Sequence, residues 1–121
     1  MRENPDETRI PSACSQAAST IINAIDSEIR ISILGLLIER EYLVSELVAQ
    51  LKRPQPLISQ HLRVLKDAGI VVSRPQGRSR YYKLSVPELG ELFRDIISLA
   101  ATAHARLVEH KPAPEAAPAQ C

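Results

Sequence analysis

The sequence predicts a mainly α-helical domain with one small β-hairpin and a long C-terminal helix. Apolar residues recur three and four positions apart in five segments, and the pattern changes to short runs rich in Val and Tyr between residues 70 and 84. With 121 residues, 45% of them hydrophobic, the chain suffices for one small domain. We expect that domain at residues 13–110, between a disordered arm at 1–12 and a disordered Pro/Ala-rich tail at 111–121.

Four helices are predicted before the hairpin. The first ends near Asp26, and Ser27 is a suitable N-cap for the second, which ends at the charged residues 39–41. A short third helix is followed by a tight turn at residues 52–54 and then by the fourth helix. Their apolar stripes are Cys14, Ala17, Ala18, Ile21, Ile22 and Ile25; Ile29, Ile33, Leu34, Leu37 and Ile38; Val44, Leu47, Val48 and Leu51; and, marking the buried side of the fourth helix, Ile58, Leu62 and Leu65.

Glycine and proline residues predict the positions of the hairpin and of the last helix. Gly69 is placed to end the fourth helix, and strands at 70–74 and 80–84 flank a basic loop at 75–79. Pro87 then opens the last helix, whose apolar stripe covers about five turns. A helix this long is more than a small domain needs to cover its own core, so it favours pairing with a second subunit.

Basic charge is concentrated in one segment of the chain. Residues 52–83 contain eight lysines and arginines and one acid, a net charge of +7, while the remainder carries −6. Such a segment is typical of a surface that binds a polyanion.

Two helices joined by a tight turn and followed by a basic hairpin describe a winged helix-turn-helix, in which the second helix enters the major groove of DNA. If Ile58, Leu62 and Leu65 face the core, polar side chains able to hydrogen-bond base edges or phosphates lie on the outer side of the fourth helix. The predicted DNA-binding residues are Lys52, Arg53, Gln55, Pro56, Ser59, Gln60, His61, Arg63, Lys66, Arg74, Arg78 and Arg80.

Five stretches resemble the ArsR/SmtB family of bacterial repressors: residues 27–34, 44–47, 55–71, which include SQHLRVLKDAGIV, 77–78, and 81–84, which read YYKL. The resemblance covers roughly residues 17–108. It implies a homodimeric repressor that binds an inverted-repeat operator on double-stranded DNA and releases it when an inducer binds. It also implies pairing through the first and last helices, with interface residues Ala18, Ile21, Ile22, Ile25, Leu89, Leu92, Phe93, Ile96, Leu99, Ala100 and Ala103.

The metal sites of that family are not matched here. A cysteine motif at the start of the third helix is replaced by Leu43-Val44-Ser45, and the positions in the last helix hold Val86, Glu88, Leu99 and Thr102. Leu and Val cannot ligate a metal. The candidate residues for an effector site are Cys14, His104 and His110. Cys14 also continues an apolar stripe, which favours a position in the core. The inducer stays open between a metal, thiol oxidation, an organic ligand and none, and no cofactor is assigned.

Other functional classes fit less well. A winged-helix module that binds a protein instead of DNA would favour an apolar or acidic exposed helix. An enzyme would need a nucleophile with an orienting base, a metal set or a glycine-rich phosphate loop, none of which the four glycines and three histidines provide. We expect no transmembrane span and no secretory signal, and therefore a cytoplasmic protein, which the resemblance implies is bacterial.

Overall fold

The computed structural model describes residues 9–110, with side chains up to residue 107. The elements are α1 (Ser12–Ile25), α2 (Glu28–Leu37), β1 (Tyr42–Leu43), α3 (Val44–Leu51), α4 (Gln55–Asp67), β2 (Val71–Gln76), β3 (Ser79–Leu84) and α5 (Pro87–His110). The predicted arm overlaps α1 by one residue, because α1 begins at Ser12. Residues 1–8 of that arm, and the predicted tail at 111–121, lie outside the described residues.

The junction between α1 and α2 is closed by the predicted cap. Ser27 has an extended backbone, and its hydroxyl accepts a hydrogen bond from the Arg30 amide at 3.3 Å. Glu28 lies in the first turn of α2, where a negative charge is favourable beside the free amides. These local contacts separate two helices that would otherwise form one continuous apolar pattern.

A tight turn joins α3 to α4. Lys52, the C-cap of α3, adopts a left-handed conformation with φ 54°, and Pro54 immediately precedes α4, so residues 52–54 alone separate the two helices. Pro56, in the first turn of α4, is well accommodated because first-turn amides have no partner within the helix. At the other end of α4, Gly69 has φ +79°, as predicted for the residue that follows the C-cap.

The hairpin belongs to a three-stranded antiparallel sheet in the order β1-β3-β2. The sequence prediction missed β1, which pairs Tyr42 with Tyr82 and Leu43 with Tyr81. It also made the loop too long, because pairing continues to Gln76 and Ser79 and leaves a two-residue turn. Gly77 has φ +60°, as the first position of a type II′ turn requires.

The core lies between α2, α3, α4 and the base of the sheet, and α4 contributes three side chains with no exposure. The stripe that we predicted for α4 is therefore confirmed. Buried core residues are Ala24, Ile33, Leu34, Leu37, Tyr42, Val44, Leu47, Ile58, Leu62, Leu65, Ile70, Val71 and Phe93.

Two predicted placements are wrong. Cys14 is exposed, as are all residues from 11 to 20, so the N-terminal half of α1 contributes nothing to the core of its own subunit. Phe93, assigned to a subunit interface, is only 3% exposed and packs in that core. Helical periodicity shows that a face is apolar, but it does not show which chain covers it.

Candidate nucleic-acid interface

The outer face of α4 is polar and accessible. Because Ile58, Leu62 and Leu65 are completely buried, the opposite side of the helix points to solvent. The exposed residues of α4 are Gln55, Pro56, Ser59, Gln60, Arg63, Val64, Lys66 and Asp67. The rigid core thus presents two glutamines and a serine, side chains that can hydrogen-bond base edges, alongside two cations that suit phosphates.

The N-terminal end of α4 favours an anion. Lys52 and Arg53 are exposed in the turn that precedes it, and its first turn contains no acidic residue. The positive end of a helix dipole attracts phosphate groups. This end of α4 therefore combines two positively charged side chains with the positive end of the helix dipole, and both attract an anion.

The β2–β3 hairpin carries three arginines in different surroundings. Arg78 is exposed in the two-residue turn, and the Nε of Arg80 donates to the Ser73 hydroxyl at 3.0 Å. Arg74 forms an ion pair with Glu41 at 2.6 Å and lies over the Tyr81 ring, 4.5 Å from its centroid. Arg74 thus ties the hairpin to the segment before β1, whereas the Arg78 side chain extends from its tip.

A second charged group fixes the segment between α2 and α3. The Leu43 amide donates to Glu46 Oε1 at 2.8 Å, and Arg40 lies 3.4 Å from the same carboxylate and over the Tyr42 ring. The Leu43 amide first, and Arg40 second, lower the pKa of Glu46. These contacts hold the start of α3, which carries the turn before α4.

His61, which we predicted to bind DNA at the edge of the exposed face, has a partner within the fold. Its ring is half-buried, and Nδ1 lies 3.1 Å from Nη1 of Arg30 on α2. Arg30 also donates from Nε to the Ala24 carbonyl at 2.6 Å and from Nη2 to the Asp26 carbonyl at 3.5 Å. One guanidinium therefore joins α2 to the end of α1 and to α4. Sequence analysis gave Arg30 no role, because its histidine partner is 31 positions away and no local pattern links the two.

Acidification is expected to lower the free energy of unfolding through protonation of His61. Burial first, and the Arg30 charge second, lower the pKa of His61 in the folded protein. The unfolded chain therefore binds more protons, and the stabilisation present above the unfolded pKa of about 6.5 is lost as pH falls through the lower folded value. We expect urea midpoints to fall between pH 7.5 and 5, with a smaller fall in His61→Asn. An identical pH dependence in both proteins would contradict this prediction.

Apolar surface is exposed along both terminal helices. Ile22 on α1 is 64% exposed, and α5 exposes a stripe in which Leu99 reaches 68%. Of the other residues predicted at the interface, Ala18, Leu92, Ile96, Ala100 and Ala103 are also exposed. Ile21, Ile25 and Leu89 are half-buried and pack against the core of their own subunit. Soluble monomers rarely leave such a continuous apolar surface open.

The candidate effector residues lie on the two terminal helices. Cys14 is exposed on α1, and His104 is half-buried on α5. Within the described part of the chain, no three His, Cys, Asp or Glu side chains lie close enough to hold a metal ion. The side chain of His110 lies outside the described residues, and the effector site stays a prediction.

Comparison with known proteins decides the family. The family model for bacterial regulatory proteins of the arsR family matches residues 27–73. The HTH-type transcriptional repressor SmtB of Mycobacterium tuberculosis is 39% identical over 90 residues, which cover 74% of this chain and 67% of that protein. This chain belongs to the arsR family. It is a winged helix-turn-helix DNA-binding regulator, and the relatives that place it in the family are transcriptional regulators.

Solved structures agree with the fold of this arsR-family protein. HlyU from Vibrio cholerae superposes with a TM-score of 0.68 at 30% identity, over 74% of this chain and 97% of that one. A homodimeric winged helix-turn-helix DNA-binding domain from Mycobacterium bovis has the same fold, with a TM-score of 0.69 at 24% identity, over 94% of this chain and all of that one. Among the described helices, none is long and apolar enough to cross a membrane.

Proposed function

We propose that this arsR-family protein is a homodimeric transcriptional repressor that binds an inverted-repeat operator and releases it when an inducer binds. The polar outer face of α4, rigidly backed by the core, is the observation that carries the proposal. Such a helix reads bases in the major groove, while basic residues in the turn and hairpin contact phosphates. The protein would act in the bacterial cytoplasm, where its operator lies.

The proposed contacts divide the predicted DNA-binding residues into two groups. We assign base contacts to Gln55, Ser59 and Gln60, and phosphate contacts to Lys52, Arg53, Arg63, Lys66, Arg78 and Arg80. Pro56 would pack against the sugar-phosphate backbone. Arg74 is given a supporting role instead, because Glu41 and Tyr81 already engage its guanidinium.

Pairing of two subunits follows from the exposed apolar stripes of α1 and α5. Residues 11–20 are all exposed in the single subunit, and a helix with little tertiary packing is marginally stable in water. Covering both stripes with a second copy would stabilise α1 and present two copies of α4 to one DNA face. Half-sites are then expected about 10 base pairs apart, centre to centre.

Selection from a random duplex library, followed by gel shift on DNA upstream of the gene, tests the proposal. We expect enrichment of an inverted repeat and a shift of that DNA by a dimer. Enrichment of no sequence would contradict DNA recognition, whereas a single unrepeated site would contradict the dimeric arrangement. Capture of a protein partner at the face of α4 in place of DNA would support the alternative, a winged-helix interaction module.

Gln60→Ala and Arg78→Ala should have different effects on DNA binding. Loss of a glutamine contact to a base should relax preference at one position of each half-site by about 1–3 kcal/mol. Loss of Arg78 should weaken all sequences alike and reduce the salt dependence by about one unit. Competition binding with single-base operator variants checks this, with Gln16→Ala, an exposed glutamine of α1, as the control. Equal loss of preference in both interface variants would contradict the assignment.

A further inference from the structure

We propose that Arg30 is a positioning residue for DNA recognition: it holds His61 as the Nε2–H tautomer, so that this N–H donates a hydrogen bond to a phosphate beside α4. The inference rests on the proposed function and adds two roles to it. Arg30 does not touch DNA in this account, and His61 binds DNA as a neutral donor.

The tautomer follows from the hydrogen bond. Arginine stays protonated and has no acceptor atom, so it can only donate to His61 Nδ1 at 3.1 Å. A neutral imidazole that accepts at Nδ1 carries its proton at Nε2. The contact with Arg30 thereby converts a ring of two interchangeable nitrogens into a donor at one defined atom.

The free nitrogen of His61 is available to a ligand. Nε2 makes no hydrogen bond to the described residues, and among them no buried side-chain nitrogen or oxygen lacks a partner. If Nε2 were buried, it would be a buried nitrogen without a hydrogen-bond partner. Because the described residues contain no such atom, Nε2 is open to solvent. His61 follows Gln60 on α4, roughly 60° from the centre of the buried stripe, so it lies at the edge of the helix where a DNA backbone passes.

The guanidinium of Arg30 is itself immobilised. Its other nitrogens donate to the carbonyls of Ala24 and Asp26, at the C-terminal end of α1. These two carbonyl acceptors fix the orientation of the planar guanidinium, which in turn fixes the orientation of the imidazole ring. His61 is therefore oriented before DNA arrives, which reduces the entropy lost on binding.

Two substitutions separate the roles of the two ring nitrogens. In His61→Asn the amide oxygen can replace Nδ1 as the acceptor for Arg30, but no donor reaches the position of Nε2. In His61→Gln the amide nitrogen can reach that position, but the acceptor for Arg30 is lost. The probe is a labelled duplex containing the sequence that the unmodified protein selects, and affinity is measured by fluorescence anisotropy.

We expect His61→Asn to melt like the unmodified protein and to bind the duplex about tenfold to a hundredfold more weakly, as loss of a hydrogen bond to a charged group predicts. His61→Gln should lose less. The slope of log affinity against log salt should stay unchanged in both, because a neutral donor displaces no counterion. Unchanged affinity in His61→Asn would overturn the proposal, and so would a slope reduced by about one unit.

A double-mutant cycle and a spectroscopic measurement address Arg30. Arg30→Met should weaken binding strongly in the presence of His61 and much less in the His61→Asn background, because positioning has no value once the donor is gone. Additive losses would overturn the coupling. In the free protein, ¹⁵N chemical shifts of the His61 ring should report the Nε2–H tautomer, and an Nδ1–H ring would contradict the assignment. If the unmodified protein selects no DNA, it is the proposed function that fails, whereas DNA binding that is indifferent to His61→Asn refutes only this inference.

Discussion

Leu99→Glu is expected to convert the protein into a monomer and to weaken operator binding by a factor of about 10²–10⁴, the gain that linkage of two binding units provides. Leu99 is 68% exposed in the single subunit, so the substitution leaves its core intact. In the dimer, the new carboxylate would be buried without a partner, which is strongly unfavourable.

Sedimentation equilibrium and DNA binding by the same preparation check this prediction. Leu92→Glu, seven residues earlier on the exposed stripe of α5, should behave similarly. Ala101→Glu is the matched control, because Ala101 is exposed on the opposite side of α5 and adds the same charge. A dimer that persists in both leucine variants would contradict pairing through α5.

Leu62→Ala is expected to lower the free energy of unfolding by about 2–5 kcal/mol, the usual consequence of removing a fully buried leucine side chain. Leu62 is completely buried at the centre of α4. Small domains are stable by only about 5–15 kcal/mol, so this one change would remove a large fraction of the total.

Urea unfolding measures the change, and Val64→Ala is the control on the same helix. Val64 is 37% exposed, so its truncation should cost about 1 kcal/mol or less. A loss below about 1 kcal/mol in Leu62→Ala would show that α4 is not anchored through this stripe. The rigid presentation of its outer face would then have no basis.

Local patterns in the sequence predicted most of the helices and their ends. The Ser27 cap and the left-handed Gly69 depend on contacts within a few residues, and the stripe on α4 depends only on helical period. The two-residue strand β1 was missed because it exists through pairing with β3, about 40 positions away. Pro75 was assigned to the loop, but β2 is an edge strand, where proline disrupts little of the ladder.

The sequence predicted the exposed side chains of the candidate site but not the pairs of side chains that contact each other across the fold. The exposed glutamines of α4 follow from the position of its buried face. The pairs between Arg30 and His61 and between Glu41 and Arg74 join residues more than 30 positions apart, and tertiary packing alone brings them together. Similarly, the apolar faces of α1 and α5 were visible in the sequence, but the division of α5 between its own core at Phe93 and an open stripe at Leu99 was not.

The salt dependence of binding to the selected duplex tests the central claim, recognition of DNA by α4 and the basic segment around it, most directly. Each phosphate neutralised contributes about −0.9 to the slope of log affinity against log salt. With several basic contacts from each of two subunits, we expect a slope of about −5 or steeper for the unmodified protein. A slope near zero would contradict the account.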